Sequence, residues 1–260
     1  MNYETLRWEM DSGVATITLA RPEKRNAISG RMIEEMLGAL GQAEKSAARV
    51  VILGASGKAF CAGMDLEELQ GLAAKSREEN LEDSRRMAAL FRRIHEFPHP
   101  VIAAVNGPAL AGGCGIATLA DFTLAAPEAK FGYTEVKIGF IPALVSVYLR
   151  RQIGQKRARD LLLTGRIIGA EEALRLGLVT EIIPAEQLAA RARELAASLL
   201  AVSPTSVERT KGLLLQFDEK ETAEEIEWAI RANAEIRATE DFREGLASFL
   251  EKRAPRWSGQ

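Results

Sequence analysis

Ile102-Ala103-Ala104-Val105-Asn106-Gly107-Pro108-Ala109-Leu110-Ala111-Gly112-Gly113-Cys114-Gly115-Ile116-Ala117 leaves an apolar strand, turns sharply and enters a helix through paired glycines. The first N–H groups of a helix have no partner within it and carry the positive end of its dipole. Such an entry can hold a developing negative charge against bare backbone. Gly113-Cys114-Gly115 after a strand, with Glu135 about twenty residues on, also suggests a dinucleotide fingerprint, but Thr118 stands where its third glycine belongs.

Upstream lies a second glycine-bearing turn. Lys58-Ala59-Phe60-Cys61-Ala62-Gly63-Met64-Asp65-Leu66 follows the strand VVILG, and Gly63 permits close approach of a ligand to the backbone. Read alone, the segment is a strand-to-helix turn capped by Asp65. Gly54-Ala55-Ser56-Gly57 lacks the GxSxG spacing of a serine-hydrolase elbow.

Around these segments the chain alternates strands and helices. Tyr3 to Met10 and Val14 to Ala20 flank Asp11-Ser12-Gly13 as a hairpin, and Ile33, Met36, Leu37, Leu40 and Ala43 share one face of a helix over 31–47. A strand at Val50 to Gly54 completes a strand, strand, helix unit. A helix over 77–97, a strand at Val101 to Val105, the glycine turn, a short helix and a strand at Asp121 to Ala126 repeat the theme, which predicts stacked turns sharing a core. Beyond Pro184 the pattern becomes helical, over 186–200, 205–217 and 222–238, with amphipathic faces suited to core or subunit contact. The expected division is a core over 1–200 and a helical region over 201–260.

The net charge of -2 comes from interspersed acids and bases, which offers no basic stripe to nucleic acid. Two cysteines and two histidines are too few for most metal sites, so no metal is expected, and Cys61 and Cys114 are expected as free thiols in a reducing cytoplasm. No apolar run approaches the roughly 20 residues that span a bilayer. The expectation is a soluble, cytoplasmic protein without a membrane or nucleic-acid partner.

Together RPEKRNAIS, AFCAGMDL, AAVNGPALAGGCGIA, FGYTEVKIGFIP, LLLTGRIIGAEEALRLGLV and SFLEKR resemble, in order and over nearly the whole chain, the crotonase (enoyl-CoA hydratase/isomerase) superfamily. The resemblance implies an α/β spiral of repeated ββα units with a helical carboxyl-terminal trimerisation region, assembled as trimers or dimers of trimers. It implies an acyl-coenzyme A thioester as substrate, with no separate cofactor. Its oxyanion donors fall on the backbone N–H groups of Met64 and Gly112, and its catalytic acid/base falls on Glu135. Coenzyme A is expected against Arg25 to Ala27 and Ala62 to Leu66, Asp65 among them, with Phe249 and Lys252 reaching a neighbouring subunit's nucleotide.

This chain departs from that pattern in three places. The first of the two hydratase glutamates falls on Gly115, which leaves hydration with a single family carboxylate or favours double-bond isomerisation; a silent thioester-binding protein is the third alternative. Glu78, Glu79, Glu82 and Asp83 are candidate substitutes, although their spacing is also that of a solvated helix face. Leu144 and Val145 replace a glycine-rich stretch after Ile141-Pro142, which predicts a short or branched acyl group. Glu67 occupies the place of a phosphate-binding lysine.

Overall fold

The computed structural model describes residues 3–72, 74–217 and 219–259. Ser12 and Gly13 adopt φ of 48° and 85°, the left-handed pair that a two-residue type I′ turn needs. Around this turn β1 (Leu6–Asp11) and β2 (Val14–Leu19) pair antiparallel, Asp11 opposite Val14. Period-two alternation sends Ala15, Ile17 and Leu19 into the core.

Helix α1 (Gly30–Lys45) starts at Ser29, whose side chain accepts from the Met32 N–H, and it buries Met32, Ile33, Met36, Ala39, Leu40 and Ala43. Strand β3 (Val50–Ala55) then pairs parallel to β2. Helix α2 (Leu66–Leu72) and helix α3 (Arg77–His95) follow, the latter opened by a reciprocal capping box between Ser76 and Glu79. Next come β4 (Val101–Val105), β5 (Ala109–Leu110), α4 (Gly112–Thr118), β6 (Phe122–Ala125) and β7 (Lys130–Gly132).

The large sheet has the order β1-β2-β3-β4-β6-β9, parallel from β2 onward, where β9 is Glu181–Ile182. The small sheet is β5-β7-β8, with β8 at Ile168–Gly169. Isolated parallel bridges Ile28–Met64 and Cys61–Ala109 extend this second layer backwards. Each turn of the chain therefore gives one strand to the large sheet, one strand or bridge to the small layer, and then a helix: β2, Ile28 and α1; β3, Cys61 and α2–α3; β4, β5 and α4. This is the expected ββα winding. Apolar runs in β3 and β4 are buried on both faces, as parallel strands covered by helices require.

Helices α5 (Ala143–Ile153) and α6 (Gln155–Thr164) pack on each other, and α7 (Ala170–Leu176) packs on β7, β8 and β9. Helix α8 (Leu188–Leu200) covers the outer face of the large sheet, packing Leu188, Ala192 and Ala196 on Val50, Ile52, Ile102 and Leu124. Helix α9 (Pro204–Gln216) buries none of its residues. Helix α10 (Glu219–Glu235) packs on α3 and α5, and its Ile226, Ala229 and Ile230 join the main core. Helix α11 (Glu240–Glu251) packs Phe242 and Leu246 on Leu69, Leu72 and Phe140. No helix among the described residues is long and apolar enough to cross a membrane.

Candidate active site

The two glycine turns meet side by side. Ile28 N–H donates to the Gly63 carbonyl at 2.7 Å and Asp65 N–H to the Ile28 carbonyl at 2.8 Å. Successive N–H groups of an extended segment point to opposite sides, so the Met64 N–H is aimed away from Ile28. Its side of the segment faces β5 and the start of α4, where Leu110 N–H donates to the Cys61 carbonyl at 2.9 Å.

Glycines set how closely these backbones approach. Gly63 has a φ of +94°, and a Cβ there would lie 3.1 Å from the Ala111 Cβ and 3.3 Å from the Leu110 carbonyl oxygen. A Cβ on Gly113 would lie 2.5 Å from the Cys61 carbonyl oxygen. Between them Ala111 turns the chain into α4 at φ 48° and ψ -127°, a strained conformation for a residue with a side chain. Neither the Met64 nor the Gly112 N–H donates a hydrogen bond to another described residue. Two free backbone donors thus stand on neighbouring segments.

Glu135 heads a short 3-10 turn, Glu135–Ile138, after β7. The turn is braced from outside: Gly139 at its end adopts a φ of +67°, and a Cβ there would lie 2.2 Å from the Asp241 carbonyl oxygen at the start of α11. Glu135 is only 7% exposed, and its Oε2 has no hydrogen-bond partner. Burial pushes its carboxyl up to about 7, the range in which one group can both take and return a proton near neutrality.

Met64, Gly112 and Glu135 line one cavity of about 430 Å³, as do Arg25, Ala27, Ala62, Asp65, Leu66 and Phe249. Lys252 is not among its lining residues; it is exposed, with a left-handed φ of 55° at the end of α11. At the mouth Lys24 Nζ pairs with Glu67 at 2.7 Å, so a lysine does stand beside the position that lacks one. The Asp65 carboxylate is committed to Arg21 at 2.8 Å and to the Glu67 N–H that opens α2.

The inner wall is apolar, formed by Met87, Phe91, Leu144 and Val145. A Cβ on Gly115 would lie 2.7 Å from Val145 Cγ1 and 2.8 Å from Phe91 Cζ. The space a side chain at 115 would enter is therefore filled by hydrocarbon, and the change at Val145 and the change at Gly115 are one packing unit. None of the four candidate substitutes lines the cavity. Glu78, Glu79 and Glu82 are exposed, Glu79 serving the α3 cap, and Asp83 is buried against Arg237 at 2.7 Å. The Cys114 thiol is wholly buried, which carries it up to about 12 and leaves it protonated.

Two lining residues escape sequence reasoning: Asn233 in α10 and Arg237 just after it. They lie four residues apart on the face that also carries Ile226, Ala229 and Ile230. A polar pair interrupting an otherwise buried stripe is the signal that could have found them.

A family model described as enoyl-CoA hydratase/isomerase matches residues 9–260. A Thermus thermophilus protein described as a candidate enoyl-CoA hydratase is 45% identical, over 94% of this chain and 97% of its own. The short-chain-enoyl-CoA hydratase of Clostridium acetobutylicum is 33% identical over 94% of each. Among solved structures, an enoyl-CoA hydratase/isomerase from Xanthobacter autotrophicus Py2 superposes with a TM-score of 0.89 at 30% identity, covering 97% of this chain and 98% of that one. By sequence along almost its full length, and by the ββα winding that sets its two glycine turns side by side, the chain belongs to the enoyl-CoA hydratase/isomerase family and has the crotonase fold.

Proposed function

We propose that this protein hydrates a short or branched 2-enoyl-CoA, using a backbone oxyanion hole at Met64 and Gly112 and Glu135 as its single carboxylate. The observation that carries this reading is a buried carboxyl with an unpartnered Oε2, lining the same cavity as two unpaired backbone N–H groups. The thioester oxygen accepts from both donors. Attack of water at Cβ moves charge onto that oxygen, and each such donor is worth about 3 kcal/mol in other enzymes. Ionised Glu135 takes the proton from the attacking water and returns it to Cα, so one carboxyl serves as base and then as acid. Coenzyme A is part of the substrate and no further cofactor enters the cycle. Its chain lies along the backbone of Arg25 to Ala27 and Ala62 to Leu66, beside Phe249.

A second reading, double-bond isomerisation, draws on the hydrocarbon packed against Gly115. A site dry on that side suits a base that shuttles a proton between two carbons of the substrate. Separate incubations of pure protein with crotonyl-CoA and with a 3-enoyl-CoA, followed by the conjugated-enoyl absorbance, divide the readings. Loss of signal from the first indicates hydration and gain from the second isomerisation. Silence from both supports thioester binding without turnover, or an acyl group other than these two.

We further propose residues 1–200 as the spiral core and 201–260 as a helical trimerisation region, with a homotrimer or a dimer of trimers as the cytoplasmic form. Exposed Leu213, Leu214, Phe217 and Trp228 on or beside α9 and α10 support this assembly. In it Lys252 would serve a neighbouring subunit's nucleotide.

A further inference from the structure

Arg237 is 2% exposed and still lines the cavity. Its Nη1 donates to Asp83 at 2.7 Å and to Asn80 Oδ1 at 3.0 Å, and its Nη2 donates to Asn233 Oδ1 at 2.9 Å. Its Nε has no partner. Asn233 Oδ1 also accepts from Ser84 Oγ at 2.7 Å, which fixes the amide's orientation and turns Nδ2 away from both of these groups. The Nδ2 hydrogens donate to no described residue.

Charge at this cluster is unbalanced. The buried Arg237 pairs with the Asp83 carboxylate at 2.7 Å, while the partly exposed Lys75 and Arg86 stand 3.7 Å and 3.6 Å from the same carboxylate and Glu79 lies beside Lys75, so three cations face two acids. Unspent donors in a buried wall are costly unless something satisfies them, and the partly exposed cations behind this wall add a positive field. An alkyl chain cannot. The apolar stretch of Met87, Phe91 and Val145 meanwhile accommodates the methylenes of a short chain.

We infer that the acyl group held here is that of a short dicarboxylic acid, its free carboxylate received by the Asn233 amide with the Arg237 guanidinium behind it. The inference rests on the thioester reading above and names its substrate class. A carboxylate supplies both the acceptors and the charge, whereas a terminal hydroxyl or ketone leaves the charge unmatched.

Titration calorimetry of the intact protein with glutaryl-CoA and valeryl-CoA tests this with saturated ligands of equal chain length that cannot be hydrated. Glutaryl-CoA should bind at least about tenfold tighter, the usual worth of a hydrogen bond to a charged group. Asn233→Asp keeps the Oδ1 acceptor for Ser84 and Arg237 but replaces the donor amide by a carboxylate oxygen, so the preference should vanish or invert. Equal affinities in the natural protein would overturn the inference and leave the thioester reading standing. Binding of neither ligand would overturn both. A preference undiminished in a folded Asn233→Asp protein, checked by thermal melting, would overturn the assignment to Asn233.

Discussion

Replacing Glu135 by glutamine should make the protein more stable and nearly inactive, with a stability gain that depends on pH. In the folded protein burial carries this carboxyl from an ordinary 4.5 to about 7. Between those values the unfolded chain has released the proton and the folded chain still holds it. Folded-state stability therefore falls as pH rises through 4.5 and levels off above about 7. Below 4.5 both states are neutral and the group contributes nothing. The penalty in the natural protein works out at about 1 kcal/mol at pH 5 and about 3 kcal/mol at pH 8. Glutamine has the same shape and no charge, so the variant should gain roughly these amounts, or about 6 to 12 °C in Tm at pH 8. Urea unfolding of both proteins at pH 5 and pH 8, at fixed protein concentration so that assembly contributes equally, reads the difference. A gain of the same size at both pH values, or none, would refute the claim that burial of this carboxyl is what tunes it. On the activity side the variant should lose about 10²- to 10⁴-fold in kcat with crotonyl-CoA or a 3-enoyl-CoA. Full retention would remove Glu135 from the chemistry.

Natural-protein kcat/KM should rise with pH through about 7 as Glu135 ionises, and a profile flat from pH 5.5 to 8.5 would contradict its role as the base. Ala111→Gly should relieve the strained turn into α4 and raise stability by about 1 kcal/mol, read from the urea midpoint, after the larger unfolded-state entropy of glycine is subtracted. Gly113→Ala drives a Cβ into the Cys61 carbonyl and should lower stability by at least about 1 to 3 kcal/mol while abolishing turnover, since the two donor segments can no longer touch. Gly115→Glu alone should not raise crotonyl-CoA hydration, because Val145 Cγ1 and Phe91 Cζ occupy the path of its side chain; a many-fold rise in kcat would show that this wall yields easily.

The legible parts of this molecule are those whose cause is local. Ser12-Gly13 needs left-handed backbone and so announces a hairpin; the helix over 31–47 repeats its apolar face every three or four residues; the glycine pair at 112–113 marks a helix entry. Helix α5 did not announce itself, because its apolar positions answer to α10, a contact distant in sequence. The site divides in the same way. Met64, Gly112 and Glu135 could be named as residues of one cavity because the family's motifs stand in order along the chain and carry these three positions with them. Asn233 and Arg237 could not, since what makes them part of the cavity is the packing of α10 on α3, which brings Asp83 and Ser84 to meet them across some 150 residues of chain.

The loss of a carboxylate at Gly115 gains a physical reading from its surroundings. A glutamate removed from an unchanged pocket would leave a polar void that water fills. Here Phe91 and Val145 lie within contact of where that side chain would begin, so the void is closed and the site is drier on one side. A drier wall raises the cost of ionising the carboxyl that remains, consistent with burial as the first cause of the Glu135 shift. It also removes competing acceptors from the neighbourhood of the Met64 and Gly112 N–H groups, which strengthens them toward a thioester oxygen. The packing that excludes a second acid thus tunes the first one toward neutrality and would sharpen the oxyanion hole proposed above. Enlarging that wall with Val145→Ala should move the Glu135 titration back down and weaken catalysis together. A variant in which the two effects separate would show that the wall and the carboxyl act independently.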